Sequence, residues 1–254
     1  MVREADLQEL ESRVAGHDSI RKMGDSVLKS IGQKPRAAKE IEFYETLPKR
    51  FPKLAGFVAH YNGTVEVEGR GKYIALEDLT KPFVKPCVID FKMGAISEKE
   101  SSCPSKLSRK KNKYPLQQKI GFRIAGSRLF RKKTHTFLVE ETKDFAEQTT
   151  EQNITDIIYN LFNDGVNERH DVLPSVIKKL KSLLDVMKTN TAYRFVSTSL
   201  LVLYEGEDAA DPSKVDVRMI DFVHAYDLDG GIDESYVNGL ENLISYLEKC
   251  ESRV

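Results

Sequence analysis

The chain lacks a long apolar run, a cysteine pair and an excess charge of either sign. Its three cysteines, Cys87, Cys103 and Cys250, are scattered and odd in number, with no CxxC pair and no Cys/His cluster. That spacing supports neither a zinc site nor a disulfide framework. The opening residues hold no apolar stretch of signal-peptide type. Nothing later approaches the roughly 18 apolar residues that span a bilayer. These absences lead us to expect a reducing, intracellular setting, cytoplasmic and open to the nucleus, without membrane insertion. Basic and acidic residues balance at 39 each, for a formal net charge of zero. A protein that wraps nucleic acid carries a basic excess, so any attraction for polyanions here must be local. Neither nucleic acid nor an obligate protein partner is required. Repeats and low-complexity tracts are also missing.

What is present suits a globular chain. Its 254 residues, 40% hydrophobic and 31% charged, suffice for one domain or two small lobes. Residues 8–31 read as turn or coil around Gly16 and Gly24, ending in a strand-like run over 25–29. Pro35 suits a first helical turn, where its fixed φ and missing N–H cost nothing. The pattern predicts a helix over 36–47, stopped by Pro48. Ala37, Glu40, Ile41 and Tyr44 share one face of it. Glu40 is thereby carried inward, while Glu42 and Glu45 point to solvent. Two strands joined by a Gly-Arg-Gly turn fill 64–78, and a connector with Pro82 and Pro86 leads to a strand over 87–92. Beyond it the pattern predicts a basic helical insert over 103–113, strands at 120–125 and 128–138, and helices at 150–163 and 173–188. Strands at 193–204 and 215–222 follow, then a helix over 233–250 with its apolar stripe on Tyr236, Leu240, Leu243, Ile244 and Leu247. The expected fold class is α+β in two lobes, 1–80 and 81–254, the second with a helical insert over 95–119.

Four constellations carry chemistry. In a strand, Asp90 and Lys92 of Asp90-Phe91-Lys92 point the same way while Ile89, Phe91 and Met93 face the core. An acid beside an ammonium suits phosphoryl transfer, although a bare DxK on a strand is more often a surface ion pair. Pairing Tyr204 with Val215 in a hairpin puts Asp221 opposite Thr198, with Ser197 and Ser199 beside it. Such a carboxylate among hydroxyls could hold Mg²⁺ or simply cap a turn, and His224 follows as a phosphate ligand or a structural histidine. In 106–113, Lys106, Arg109, Lys110 and Lys113 fall on one helical face and repel one another unless an anion answers them. A phosphorylated small molecule, nucleic acid or an anionic membrane would do so; a solvated face or a nuclear-import signal needs none. Lys29 with Glu40 matches the lysine–glutamate pair that kinase-like lobes place on nucleotide phosphates. By contrast, Arg169-His170-Asp171 has the wrong order for a protein-kinase HRD.

Together these segments resemble the inositol polyphosphate kinase family. Its PxxxDxKxG signature is matched in full by Pro86, Asp90, Lys92 and Gly94, its serine-leucine-leucine element by Ser199-Leu200-Leu201, and its IDF element by Ile220-Asp221-Phe222. The likeness runs from about Lys29 to the C-terminus. It implies a two-lobed, protein-kinase-like fold related to ATP-grasp enzymes, ATP and Mg²⁺ as cofactors, and an inositol polyphosphate as substrate. By this resemblance Lys29, with Glu40, is the ATP-phosphate lysine, and Glu77 and Leu79 meet adenine through their backbone. Asp90 contacts the nucleotide and serves catalysis, and Lys92 contacts the reacting phosphate or substrate. Lys106, Arg109 and Lys113, with Lys110, align with the substrate-binding helix. Asp221, with Ser199, holds Mg²⁺, and His224 reaches the inositol phosphate. Tyr193-Arg194-Phe195, Val215 to Phe222 and Gly239 to Ile244 look most like inositol hexakisphosphate kinases. Lys113-Tyr114-Pro115-Leu116 looks more like the multikinases. The activity so implied is phosphorylation of inositol hexakisphosphate to a diphosphoinositol pentakisphosphate. The alternatives are phosphorylation of hydroxyls on tris- and tetrakisphosphates and, in another class, a non-catalytic binder of polyphosphates or anionic membranes.

Overall fold

Runs of alternating apolar and polar residues close two antiparallel sheets of five strands each. The computed structural model describes residues 2–3, 7–10, 14, 20–31, 35–95, 114–141, 144–145, 148–166, 169–207 and 211–253. In the first sheet, β1 (Gln8–Glu9), β2 (Ile20–Met23), β3 (Ser26–Ser30), β4 (Tyr61–Val67) and β5 (Gly71–Glu77) lie in the order β1-β2-β3-β5-β4. Leu28, Val67, Tyr73 and Ala75 form a small core on one face of it, so Val27 and Lys29 turn to the other. Where coil was expected before residue 25, β2 pairs with β3 through a turn at Gly24, whose φ is 56°. The helix α1 (Pro35–Arg50) follows β3 and does not stop at Pro48. A proline this close to a helix end forfeits a single backbone bond. The last turn is held by Phe51 N–H donating to the Leu47 carbonyl at 2.9 Å and by Arg50 clamped to Asp227 at 2.6 Å.

The second sheet contains β6 (Pro86–Met93), β7 (Phe122–Arg131) and β8 (Thr136–Glu141), then β10 (Ser199–Glu205) and β11 (Val215–Ile220) after a short β9 (Tyr193–Phe195). Its order is β11-β10-β6-β7-β8. Its strands differ from expectation, and the run expected over 128–138 is broken by a turn at 132–135 between β7 and β8. β7 is continuous across Gly126, where a break between 125 and 128 was predicted. The run over 193–204 divides instead, because Ser197 adopts φ 55°. β9 therefore pairs with β12 (Ala225–Asp227) in a separate ribbon, while β10 enters the sheet. The hairpin register is the expected one: Tyr204 pairs with Val215 and Ser199 with Ile220.

Helices cover this sheet: α2 (Pro115–Ile120), α3 (Ile154–Asn160), α4 (Leu173–Met187) and α5 (Glu234–Glu251). The predicted stripe of α5 is buried throughout, and Asp233 caps the helix by accepting from Tyr236 N–H. Gly239 on α5 meets the turn after α2 backbone to backbone: a Cβ there would lie 2.5 Å from the Gly121 carbonyl oxygen. The main core runs continuously from α1 through both sheets to α4 and α5. Beside the connection between sheets, Val58 bridges Met219, and Arg218 Nη1 donates to the Val58 carbonyl at 2.8 Å. No described helix is long and apolar enough to cross a membrane.

Candidate active site

An apolar slot between the two sheets ends in a cluster of charges. Val27 and Leu76 come from the first sheet, Val88, Leu201 and Ile220 from the second, and Leu79 from the link between them. The charged end is built by strand alternation. Lys29 faces the slot because Leu28 faces the opposite core, and α1 brings Glu40, only 2% exposed, to meet it. Lys29 Nζ donates to Glu40 Oε1 at 2.9 Å and to Asp221 Oδ1 at 2.6 Å. Glu40 Oε1 also accepts Phe222 N–H at 3.2 Å.

Asp221 is held in an unusual backbone conformation, φ 67° and ψ 68°. A non-glycine residue in the left-handed region costs on the order of 1 kcal/mol. The turn stops β11 at Ile220 and sends Phe222 into the core, where it stacks on Phe43 at 3.9 Å. The Asp221 carboxylate is left between two ammonium groups, with Lys92 Nζ 3.7 Å from Oδ2. Lys92 also donates to Ser199 Oγ at 3.3 Å, as the pairing of Lys92 with Ser199 dictates. Thr198, next along from the Ser199–Ile220 pair and so opposite Asp221, is fully buried.

The two aspartates are driven apart electrostatically. Burial pushes the Asp90 carboxyl up to about 6; the Lys92 ammonium opposes the rise and the Asp221 charge adds to it. Burial acts on Asp221 in the same sense, but Lys29 and Lys92 overcome it and bring Asp221 down to about 2. Lys29 is desolvated too, yet Asp221 and Glu40 hold its pKa above the ordinary lysine value. Asp90 Oδ1 is buried without a hydrogen-bond partner among the described residues. Such an atom is costly until something answers it.

No group of three His, Cys, Asp or Glu suited to a metal ion stands among the described residues. The donor set that fits a divalent cation is Asp221 with the unpartnered oxygen of Asp90, since Mg²⁺ takes one or two carboxylates and completes its shell with phosphate and water.

The other predicted residues fall in several places. Glu77 and Leu79 line the slot, although Glu77 N–H is already donated to the His60 carbonyl at 2.9 Å. His224 ends the 3₁₀ turn after Asp221, its Nδ1 3.0 Å from Tyr226 Oη. Lys106, Arg109, Lys110 and Lys113 lie outside the described residues.

Arg123 was not anticipated. On β7 it pairs directly with Lys92 of β6, so both side chains take the same face. Its charge reaches Asp90, and its guanidinium lies over the Tyr114 ring at 4.4 Å. Strand alternation in 122–125 would have shown its face, but its neighbour depends on which strands pair.

Comparison with known proteins matches residues 73–248 to the family model described as inositol polyphosphate kinase. Mouse inositol hexakisphosphate kinase 3 is 29% identical over 205 residues, covering 72% of this chain and 52% of that protein. Human inositol polyphosphate multikinase is 27% identical over 231 residues, covering 83% and 54%. The chain thus spans about half the length of these curated relatives. A crystal structure of the inositol phosphate multikinase of S. cerevisiae, in complex with ADP and Mn²⁺, superposes with a TM-score of 0.70 at 23% identity. It covers 84% of this chain and 95% of that one.

Proposed function

The chain belongs to the inositol polyphosphate kinase family, and on that premise we propose that it transfers a phosphoryl group from Mg·ATP to an inositol polyphosphate, with inositol hexakisphosphate as the favoured acceptor. One observation carries this reading: Lys29, Glu40, Lys92 and Asp221, far apart in the chain, converge in one ion-pair network at the end of an apolar slot. A base fits the slot, and the ammonium groups suit the phosphates.

In this reading Lys29 is pinned by Glu40 and turns its charge onto the nucleotide phosphates. Asp221 and Asp90 would hold the divalent cation, which supplies neutralisation of charge on the bridging and transferred phosphates. Ser199 Oγ accepts from Lys92 Nζ and its hydroxyl hydrogen-bonds Asp90, so in this reading it holds both side chains beside the cation. Lys92 and Arg123 place two cations side by side where the transferring phosphoryl and the acceptor would meet. A phosphate acceptor is already anionic and needs no strong base. A hydroxyl acceptor loses its proton, and Asp90 could accept it. Fixed positive charge supplies most of the rate in either case.

A binder of polyphosphates or anionic membranes would need no such convergence. The decisive experiment offers ATP, Mg²⁺ and, separately, inositol tris-, tetrakis- and hexakisphosphate. We expect transfer with the hexakisphosphate preferred, and a loss of about 100-fold or more in kcat/KM for Lys29→Ala and Asp221→Asn. A preference for the tris- or tetrakisphosphate would move the chain to multikinase chemistry. No transfer to any of them would remove the kinase reading.

A further inference from the structure

We propose that Val14 is a wall residue of the nucleotide slot, seated by Gly126 so that it closes the slot beside Asp90. This rests on the kinase reading above. Val14 lies outside the stretch matched to the family, 73–248, yet it is only 7% exposed and packs into the main core. With Leu10 it lines the slot.

The strand register explains how it gets there. Gly126 on β7 pairs with Asp90 on β6, and residues directly opposed in an antiparallel pair present their side chains to the same face. A side chain at position 126 would therefore stand beside the Asp90 carboxyl. The glycine provides none, and its φ is not among the positive ones, so what it supplies is room. Val14 takes that room: a Cβ on Gly126 would come within 2.9 Å of Val14 Cγ1, 3.2 Å of the Val14 carbonyl oxygen and 3.0 Å of the Glu140 carbonyl oxygen. The preceding residues are tethered from the other side. Gln8 pairs with Lys22 and Glu9 with Arg21 at the edge of the first sheet.

Val14, five residues past the end of β1 in the first sheet, thus packs on Gly126 of the second. Asp90 lines the slot and feels the charges of Lys92 and Asp221, so in this proposal the sugar that joins base to phosphates lies beside it. Val14 gives that sugar an apolar backing and keeps water from the carboxylate at its side.

The test is calorimetric titration of ADP into the full chain, paired with thermal melts of the same samples. Val14→Ala should raise the Kd about fivefold or more, the effect of removing two buried methyl groups from a ligand-facing wall. Gly126→Ala should raise it in the same direction by displacing Val14, and the double variant should be weaker by less than the product of the singles. Val14→Thr, which keeps the shape but puts a hydroxyl into the apolar backing, should also raise the Kd and covers the case in which Val14→Ala does not fold. A purely structural Val14 would lower the melting temperature of Val14→Ala and leave its Kd, and that of Gly126→Ala, unchanged. That result overturns the inference alone. A parent chain that binds no ADP overturns the kinase reading and this inference with it.

Discussion

Asp90 and Asp221 are the same side chain in neighbouring places with opposite protonation behaviour. In the empty protein Asp90 keeps its proton to about pH 6, whereas Asp221 gives its proton up near pH 2. Folding stability responds with opposite signs. Asp221 contributes stability that is present above the ordinary carboxylate range and is lost as pH falls toward 2. Asp90 costs stability as pH rises from the ordinary range through 6, because the unfolded carboxyl ionises there while the folded one still holds its proton. Carboxyl-carbon NMR of the ligand-free protein, with Asp90→Asn to assign the signal, should show a midpoint near 6 for Asp90. A midpoint near 4 would disprove the desolvation described above. These roles were partly legible in the sequence. Asp90 and Lys92 share a face by alternation alone, and one hairpin sets Asp221 against Thr198 and Ser199. Arg123 was not legible, because its place beside Lys92 depends on pairing strands 31 positions apart in sequence.

Among the elements, those with a single period were readable and those cut by one unusual residue were not. The stripe of α5 and the two strands around the Gly69–Gly71 turn follow directly from side-chain spacing. The 193–204 segment reads as one apolar strand, and only the left-handed Ser197 splits it between two sheets. The β1 and β2 strands were missed because neither buries a face of its own; each is stabilised by its neighbour in the first sheet. Glycines mid-element read as weak points in sequence and act as contact points in space. Gly239 is the clearest, since it lets α5 touch the turn at Gly121. Gly239→Ala should destabilise the protein by about 1–3 kcal/mol through overpacking, despite alanine's better helix propensity. Urea unfolding would measure it, and an alanine variant as stable as the parent would disprove the close packing.

At the scale of the whole molecule, the two sheets are coupled at few polar points. Arg218 is one: on β11 it donates to the Val58 carbonyl at 2.8 Å, pairs with Asp216 at 2.8 Å and lies 3.8 Å from Glu77. Arg218→Ala should lower the melting temperature by several degrees, the equivalent of about 1–3 kcal/mol for charged hydrogen bonds lost. Added nucleotide should restore part of the loss by mass action. Scanning calorimetry with and without ADP checks both effects, and an unchanged melting temperature would show that Arg218 is not a joint. Glu40 is another such point, beside the direct Lys29–Asp221 pair, and it has a mechanical consequence. One carboxylate grips the Lys29 ammonium and the amide that follows Asp221, so α1, β3 and the end of β11 share a single pivot. A tilt of α1 pulls on Lys29 and on Asp221 at once. The exposed outer edge of that helix, where Glu42 and Glu45 face solvent, is therefore a lever whose short arm ends in the ion-pair network of Lys29 and Asp221.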